Sequence, residues 1–226
     1  SFFRQAVVRA WEFRKAAGLT GNSSLNVFRL IHAEGDGLPG LIADYYNGVV
    51  VMQMHSVGMY RIRKELAGII REIPGLQVKA VYDKSGSTIP FMSGIKPDNE
   101  FLFGDSEPVI VTEYGFRFKI DWIGGQKTGF FIDQRENRRL LGEYAKDRSV
   151  LNMFGYTGGF SVYAMKDARI VHSVDSSAQA VELADENVKL NFGDDPRHTS
   201  IKADAFNFLM DIRDKYDLMI LDPPAF

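Results

Sequence analysis

Residues Val150 to Phe160 read Val-Leu-Asn-Met-Phe-Gly-Tyr-Thr-Gly-Gly-Phe. A short apolar run of strand type meets a glycine-containing turn, and a helix begins near Phe160. Glycine suits such a turn: without Cβ, the backbone can come close to a ligand and take φ above zero. The pattern then recurs. Ile170 to Val174 reads as a buried strand closing in Asp175, Ser200 to Lys202 as a third strand before Asp204, and Tyr216 to Leu221 as a fourth closing in Asp222-Pro223-Pro224-Ala225-Phe226. Carboxylates thus recur at the carboxyl ends of successive strands, the edge where open α/β sheets bind ligands. The fold class expected is α/β, with a Rossmann-like sheet whose first four strands are present.

Asp175 follows the first turn by roughly 20 positions, where an acidic residue in this architecture grips a ribose diol. The dinucleotide fingerprint G-x-G-x-x-G is not met, because Gly155, Gly158 and Gly159 are spaced differently. S-adenosylmethionine is therefore the better cofactor candidate. Asp175 can accept from its ribose diol, Asp204 with the Ala205 amide can address adenine, and Gly158 and Gly159 let the backbone approach the methionine tail. Asp204 has a second reading as the N-cap of a helix from Ala205 to Ile212. Ser176 has two readings as well, a ribose contact or a cap of the next helix.

Three motifs in order carry a family resemblance: Asn152-x-Phe154-x-Tyr156-Thr157-Gly158-Gly159-Phe160, the Asp222-Pro223-Pro224 end, and upstream Gly125-Gln126-Lys127-Thr128-Gly129-Phe130-Phe131-Ile132-Asp133-Gln134-Arg135. With Ala33-Glu34-Gly35-Asp36-Gly37-Leu38-Pro39-Gly40-Leu41-Ile42 before them, the chain resembles class I ribosomal RNA large-subunit methyltransferases of the cytosine-C5 type. These have a PUA domain, a small α+β domain and a Rossmann-like domain. The resemblance implies S-adenosylmethionine contacts at Thr128, Phe130, Gln134, Asn152, Phe154, Tyr156 and Thr157 besides those above, with Gly124 to Phe131 resembling a lid over the cofactor. Asn152 stands where many methyltransferases carry an acidic residue, and fits this family's own pattern. Asp222-Pro223-Pro224 fixes a carboxylate and neighbouring carbonyls toward a target base with an exocyclic amine, since consecutive prolines remove two amide donors and stiffen the chain. Asp222 is expected to position that base and to border the cofactor.

The opening at Ser1 and the end at Phe226, directly after a strand-end motif, read as a chain cut at both ends. A PUA domain is expected before Ser1. Cytosine C5 is a poor nucleophile until something adds to C6, a cysteine thiolate in enzymes of this class. The chain has no cysteine, so that nucleophile is expected beyond Phe226. The fragment alone should bind cofactor poorly and should not methylate C5.

The absence of cysteine also excludes a disulfide framework and thiolate metal sites, and four scattered histidines argue against zinc. No stretch approaches a membrane span and no signal peptide opens the chain, so a cytoplasmic protein is expected. Net charge is −2; from Val150 onward there are 12 acidic and 7 basic residues, against 17 and 20 before it. An RNA surface should lie in the forward part. The expected partner is ribosomal RNA, with room for a homodimer and with neither membrane nor metal.

In chain order, Phe2 to Ala17 has helical spacing at Phe3, Val7, Ala10, Trp11 and Phe13 and stops at Gly18. Arg4, Arg9, Arg14 and Lys15 face phosphates or water. These first 20 residues are expected to form a helix that follows a PUA domain. Residues 21–105 make the small α+β domain and a linker: a strand at Val27 to His32, a turn-rich loop whose Glu34 and Asp36 suit a turn better than a metal, and a hairpin around Asn47-Gly48. A helix follows from Gly58 to Ile73, with Ile62, Leu66, Ile69 and Ile70 inward and Arg61, Arg63, Lys64 and Arg71 outward, then a strand from Val78 to Tyr82 and a loop from Lys84 to Asp105. Residues 106–226 open with a hairpin hinged at Gly115 and continue into the Rossmann-like sheet. Phe130, Phe131, Tyr156 and Phe226 are candidates to stack on a base, with core packing as the commoner role. Competing functions are a guanine methyltransferase of the same fold, a non-catalytic RNA-binding module and, more distantly, a nicotinamide dehydrogenase.

Overall fold

The structure, a computed structural model, describes residues 1–90 and 94–223. It divides into an N-terminal unit, Ser1–Gly115 with Ile120–Ile132, and a C-terminal unit, Phe116–Lys119 with Asp133–Phe226.

The N-terminal unit begins with helix α1 (Phe2–Ala16), which buries Ala6, Val7, Ala10 and Trp11 and leaves Phe13 exposed. Strand β1 (Val27–His32) pairs antiparallel with β2 (Leu41–Tyr46), which pairs antiparallel with β3 (Val49–Met54). The Asn47-Gly48 turn between β2 and β3 has φ of 47° and 103°, the two positive values that a two-residue hairpin requires. Helices α2 (Val57–Arg61) and α3 (Arg63–Arg71) then cross over to β4 (Ala80–Asp83), parallel to β3. Strand β5 (Glu100–Phe103) closes the sheet in the order β1-β2-β3-β4-β5, and β6 (Ile110–Glu113) follows. One apolar cluster joins α1, α3 and the sheet through Trp11, Phe28, Leu41, Leu66, Ile70 and Val81.

Several expectations for this unit are corrected. The helix expected over 58–73 is two helices broken at Ile62, and Arg63 turns inward, ion-paired to Asp83 and Glu100 and lying over the Tyr60 ring. The loop expected over 84–105 contains β5, whose Phe101 packs its ring on Tyr82 and Trp122. Arg14 faces neither phosphate nor water. Its guanidinium makes two bonds of 2.6 Å to Asp36, which also accepts from the His32 amide, so Asp36 serves the turn rather than a metal. No group of metal-ligating side chains occurs among the described residues. Among these residues, too, no helix is long and apolar enough to cross a membrane.

The C-terminal unit contains β7 (Phe116–Lys119), α4 (Arg135–Tyr144), β8 (Ser149–Met153), α5 (Gly159–Met165), β9 (Ile170–Asp175), α6 (Ala178–Phe192), β10 (His198–Lys202), α7 (Ala205–Asp211) and β11 (Leu218–Leu221). Strands β8 to β11 form a fully parallel sheet in the order β10-β9-β8-β11. The chain steps outward from β8 to β10, then returns past its start to lay β11 on the other side. That reversal puts a topological switch point between β8 and β11. Strand β7 is tied to α6 by Asn187 and Asn191, whose side-chain oxygens accept from the Lys119 and Arg117 amides. Its Phe116 ring lies 4.7 Å from Tyr163.

Candidate functional site

All four parallel strands point their carboxyl ends at one edge, and the residues singled out in the C-terminal unit gather there. Val174 is level with Met153, Lys202 with Asp175 and Leu221 with Met153. Phe154 and Asp222 therefore leave the sheet side by side, on either side of the switch point.

The turn after β8 is unusual in its backbone. Phe154 has φ 56° and Tyr156 has φ 44°, left-handed conformations that cost a non-glycine residue about 1–3 kcal/mol each. Neighbours hold them in place. Gly155 N donates to Val174 O at 3.0 Å, Tyr156 N donates to Asp175 Oδ2 at 2.9 Å, and Gly158 N donates to Gly155 O at 2.8 Å. From below, Asn187 of α6, fully buried, donates to Thr157 O at 2.9 Å. Phe154, Gly155 and Tyr156 stay half-exposed, whereas Thr157, Gly158 and Gly159 are buried. Gly158 is a glycine for two reasons. Its φ is 72°, and a Cβ there would stand 2.9 Å from the Ala184 Cβ of α6. The accessible part of the turn is thus Phe154 to Tyr156.

Asp175 ends β9 beside this turn. Its Oδ2 takes the Tyr156 amide and its Oδ1 takes the Ser177 amide at 2.9 Å. An ionised carboxylate has about four acceptor positions, so two remain for a ligand. Ser177 is the cap of α6, its hydroxyl accepting from Ala180 N, which leaves the exposed Ser176 outside that role. Asp204 does cap its helix, Oδ1 accepting from Asn207 N at 2.9 Å, with Ala205 buried behind it. Gln134 accepts from Asn137 at the start of α4. Asp222 is exposed and has no partner among the described residues. Pro223 follows it, while Pro224 and Phe226 lie outside the described residues.

Thr128 and Phe130 belong to the N-terminal unit. Thr128 is buried, donating to Asp44 Oδ2 at 2.6 Å and bonded to the Tyr46 hydroxyl at 2.9 Å. The segment around it is fastened to the same sheet: Gln53 donates to Lys127 O, and the ammonium of Lys84, whose pKa burial lowers, donates to Gly125 O. Phe130 is buried, and the Lys127 ammonium lies 4.3 Å from the Phe131 ring centroid.

Beneath the turn the structure joins Asn152 to Ser161, Ser173 and His198, three residues that sequence reasoning missed. Asn152 Nδ2 donates to Ser161 Oγ at 2.8 Å, Ser161 and Ser173 hydroxyls meet at 2.6 Å, and Ser173 Oγ lies 2.8 Å from His198 Nε2. Two serines on different elements, α5 and β9, and a histidine on β10 give no periodic signal. Only the parallel register brings them together.

A family profile described as S-adenosylmethionine-dependent methyltransferase matches residues 28–226. The chain belongs to this family. Methyltransferase relatives agree with that assignment. It is similar to the ribosomal RNA large subunit methyltransferase I of Pseudoalteromonas translucida, 37% identical over all of this chain and 57% of that protein. The protein of the same name from Tolumonas auensis is 39% identical over 92% of this chain and 54% of its own length. The chain thus spans a little over half the length of these curated relatives. Among solved structures, a SAM-dependent methyltransferase from Streptococcus mutans matches with a TM-score of 0.86 at 27% identity, covering 99% of this chain and 58% of that one. A methyltransferase crystallised with SAH matches with the same score and identity, covering 99% of this chain and 57% of that one.

Proposed function

We propose that the protein is a methyltransferase that modifies large-subunit ribosomal RNA, with cytosine C5 as the acceptor atom. The observation that carries this reading is the strained Phe154–Tyr156 turn beside Asp175 at the switch point of a parallel sheet, in a chain of this family. The names of the curated relatives support the RNA substrate. The three sequence motifs support the choice of cytosine.

The residues at the sheet edge fit S-adenosylmethionine. Asp175 keeps acceptor capacity for a ribose diol after serving two amides, and Asp204 keeps Oδ2 free of its capping bond for an adenine amine. When bound, the cofactor supplies an electrophilic methyl group. Asp222 accepts from the exocyclic amine of the target base, and Pro223 stiffens the chain that presents it. Reaching a base inside folded RNA requires unstacking it, so the target is an exposed or flipped nucleotide. The thiolate that C5 chemistry needs at C6 is not among this chain's residues, since it has no cysteine. Thr128, Phe130 and Gln134 enter this reading through the family motif alone.

Mass spectrometry of ribosomal RNA from cells lacking the gene tests it. The expected result is loss of one 5-methylcytosine from the large-subunit RNA. Loss of a methylguanine instead would remove cytosine from the reading, and an unchanged RNA would overturn it.

A further inference from the structure

The hydrogen-bonded run from Asn152 to His198 has a direction. An amide NH2 only donates, so Asn152 Nδ2 gives its hydrogen to Ser161 Oγ, at 2.8 Å. The Ser161–Ser173 and Ser173–His198 Nε2 contacts, 2.6 and 2.8 Å, allow either partner to donate, and the direction that gives the Ser161 hydrogen an acceptor in the run is Ser161 to Ser173 and Ser173 to Nε2. With that direction every hydroxyl hydrogen of the run has an acceptor within it, and Nε2 carries a lone pair, which makes His198 a neutral imidazole with its hydrogen on Nδ1, the nitrogen 3.5 Å from Asp185 Oδ1. Asn152, Ser161 and Ser173 are all at most 2% exposed, so water cannot mend a broken link cheaply.

The upper end of the run lies directly under the turn. A Cβ on Gly155 would stand 3.4 Å from Asn152 Nδ2 and 3.6 Å from Ser173 Cβ. With Nδ2 committed to Ser161, the Asn152 Oδ1 acceptor has no partner among the described residues. If His198 gains a proton, Nε2 becomes a donor and both ends of the run push hydrogens inward. Turning the Asn152 amide restores the pairing, with Oδ1 accepting from Ser161 and the NH2 taking its place as the free group. An acceptor beneath the turn becomes a donor, which is unfavourable beside a cationic ligand.

We propose that His198 is a positioning residue for the cofactor: as a neutral imidazole it sets, through Ser173 and Ser161, the orientation of the Asn152 amide that lies beside the Gly155 turn, the orientation that keeps its Oδ1 free of a partner in the run. This rests on the reading that the turn holds S-adenosylmethionine, whose ammonium and sulfonium favour an acceptor there. The groups acting on His198 are Asp185 from α6, Asp195 from the segment before β10, and His172 from β9. Burial is the largest influence and disfavours the imidazolium, His172 acts in the same direction, and the two carboxylates oppose them. Asp195 is itself bonded to Arg197.

Calorimetric titration of the full-length protein with S-adenosylmethionine at about pH 7.5 and about pH 4.5, low enough to charge an imidazole whose pKa burial has lowered, tests the proposal. The expected result is affinity about threefold to tenfold weaker at the lower pH, the worth of one hydrogen bond. His198→Gln, and separately Ser173→Ala, should each remove that pH dependence, with circular dichroism confirming that the fold is kept. A wild-type protein that binds equally at both pH values, or a His198→Gln variant that keeps the wild-type slope, overturns the proposal. Folded protein that binds no cofactor at either pH would instead overturn the underlying site.

Discussion

The ion pairs of the N-terminal unit and the run beneath the turn of the C-terminal unit bury polar groups in different ways. In the N-terminal unit they are charged and closed on one another: Asp44 takes a bidentate pair from Arg29 and a further bond from Thr128, Arg14 grips Asp36, and Arg63 joins Asp83 and Glu100. Under the turn of the C-terminal unit the buried run from Asn152 to His198 is uncharged and leaves Asn152 Oδ1 without a partner among the described residues, while the Asp175 carboxylate beside the turn serves two amides and keeps acceptor positions. Closed ion pairs fix a shape and offer a ligand nothing. A neutral network that leaves acceptors free at a strained turn holds a shape and keeps chemistry available. The contrast separates scaffold from site without reference to any relative.

Removing a charge should be far more damaging in the first unit. Asp44→Ala removes the bidentate partner of the Arg29 guanidinium and the acceptor of the Thr128 hydroxyl, and is expected to cost about 3–5 kcal/mol. Urea unfolding followed by tryptophan fluorescence measures this in one unit alone, because Trp11 and Trp122, the two tryptophans of the chain, both lie in the N-terminal unit. A loss below about 1 kcal/mol would break the comparison, for it would make the pair no better than a surface one.

Gly158→Ala should be the next largest effect. The added Cβ meets Ala184 at 2.9 Å with φ at 72°, and overpacking of this kind costs about 1–3 kcal/mol. Far-UV circular dichroism should show the loss, while the tryptophan transition stays where it was. A shift in the tryptophan transition would show that the two units do not unfold independently.

Acidification should have the smallest effect on stability. Burial lowers the pKa of His198 from its ordinary 6.5, so the unfolded chain takes up this proton at a higher pH than the folded one. The His198 contribution is therefore fully present above about pH 6.5 and declines as pH falls below it toward the folded-state pKa. Comparing urea midpoints of wild type and His198→Gln across that range isolates it. A wild type that gains stability relative to the variant on acidification would reverse the sign and remove the neutral imidazole.

Much of the C-terminal sheet was legible because each strand is a local apolar run with its own terminator, and Asn47-Gly48 announced its hairpin through backbone chemistry. What escaped the sequence depends on partners far along the chain. Glu100 to Phe103 looks like loop until β4 offers it an edge, Ile62 looks like helix interior until the helix breaks there, and Arg63 looks like surface until Asp83 and Glu100 turn it inward. At the site, the carboxylates at strand ends were visible, but their first duties were not: Asp175 anchors two amides and Asp204 caps a helix before either meets a ligand. Asn187 and the serines below the turn were invisible, since nothing in a solitary Asn or Ser distinguishes a buried clamp from a wet surface.

The central claim is that the Phe154–Tyr156 turn and Asp175 together hold S-adenosylmethionine. Calorimetry on the full-length protein and its Asp175→Ala variant tests this most directly. The loss of one or two ribose hydrogen bonds, worth about 0.5–1.5 kcal/mol each, predicts affinity several-fold to about a hundredfold weaker in the variant. A natively folded variant that binds the cofactor as tightly as wild type would contradict it.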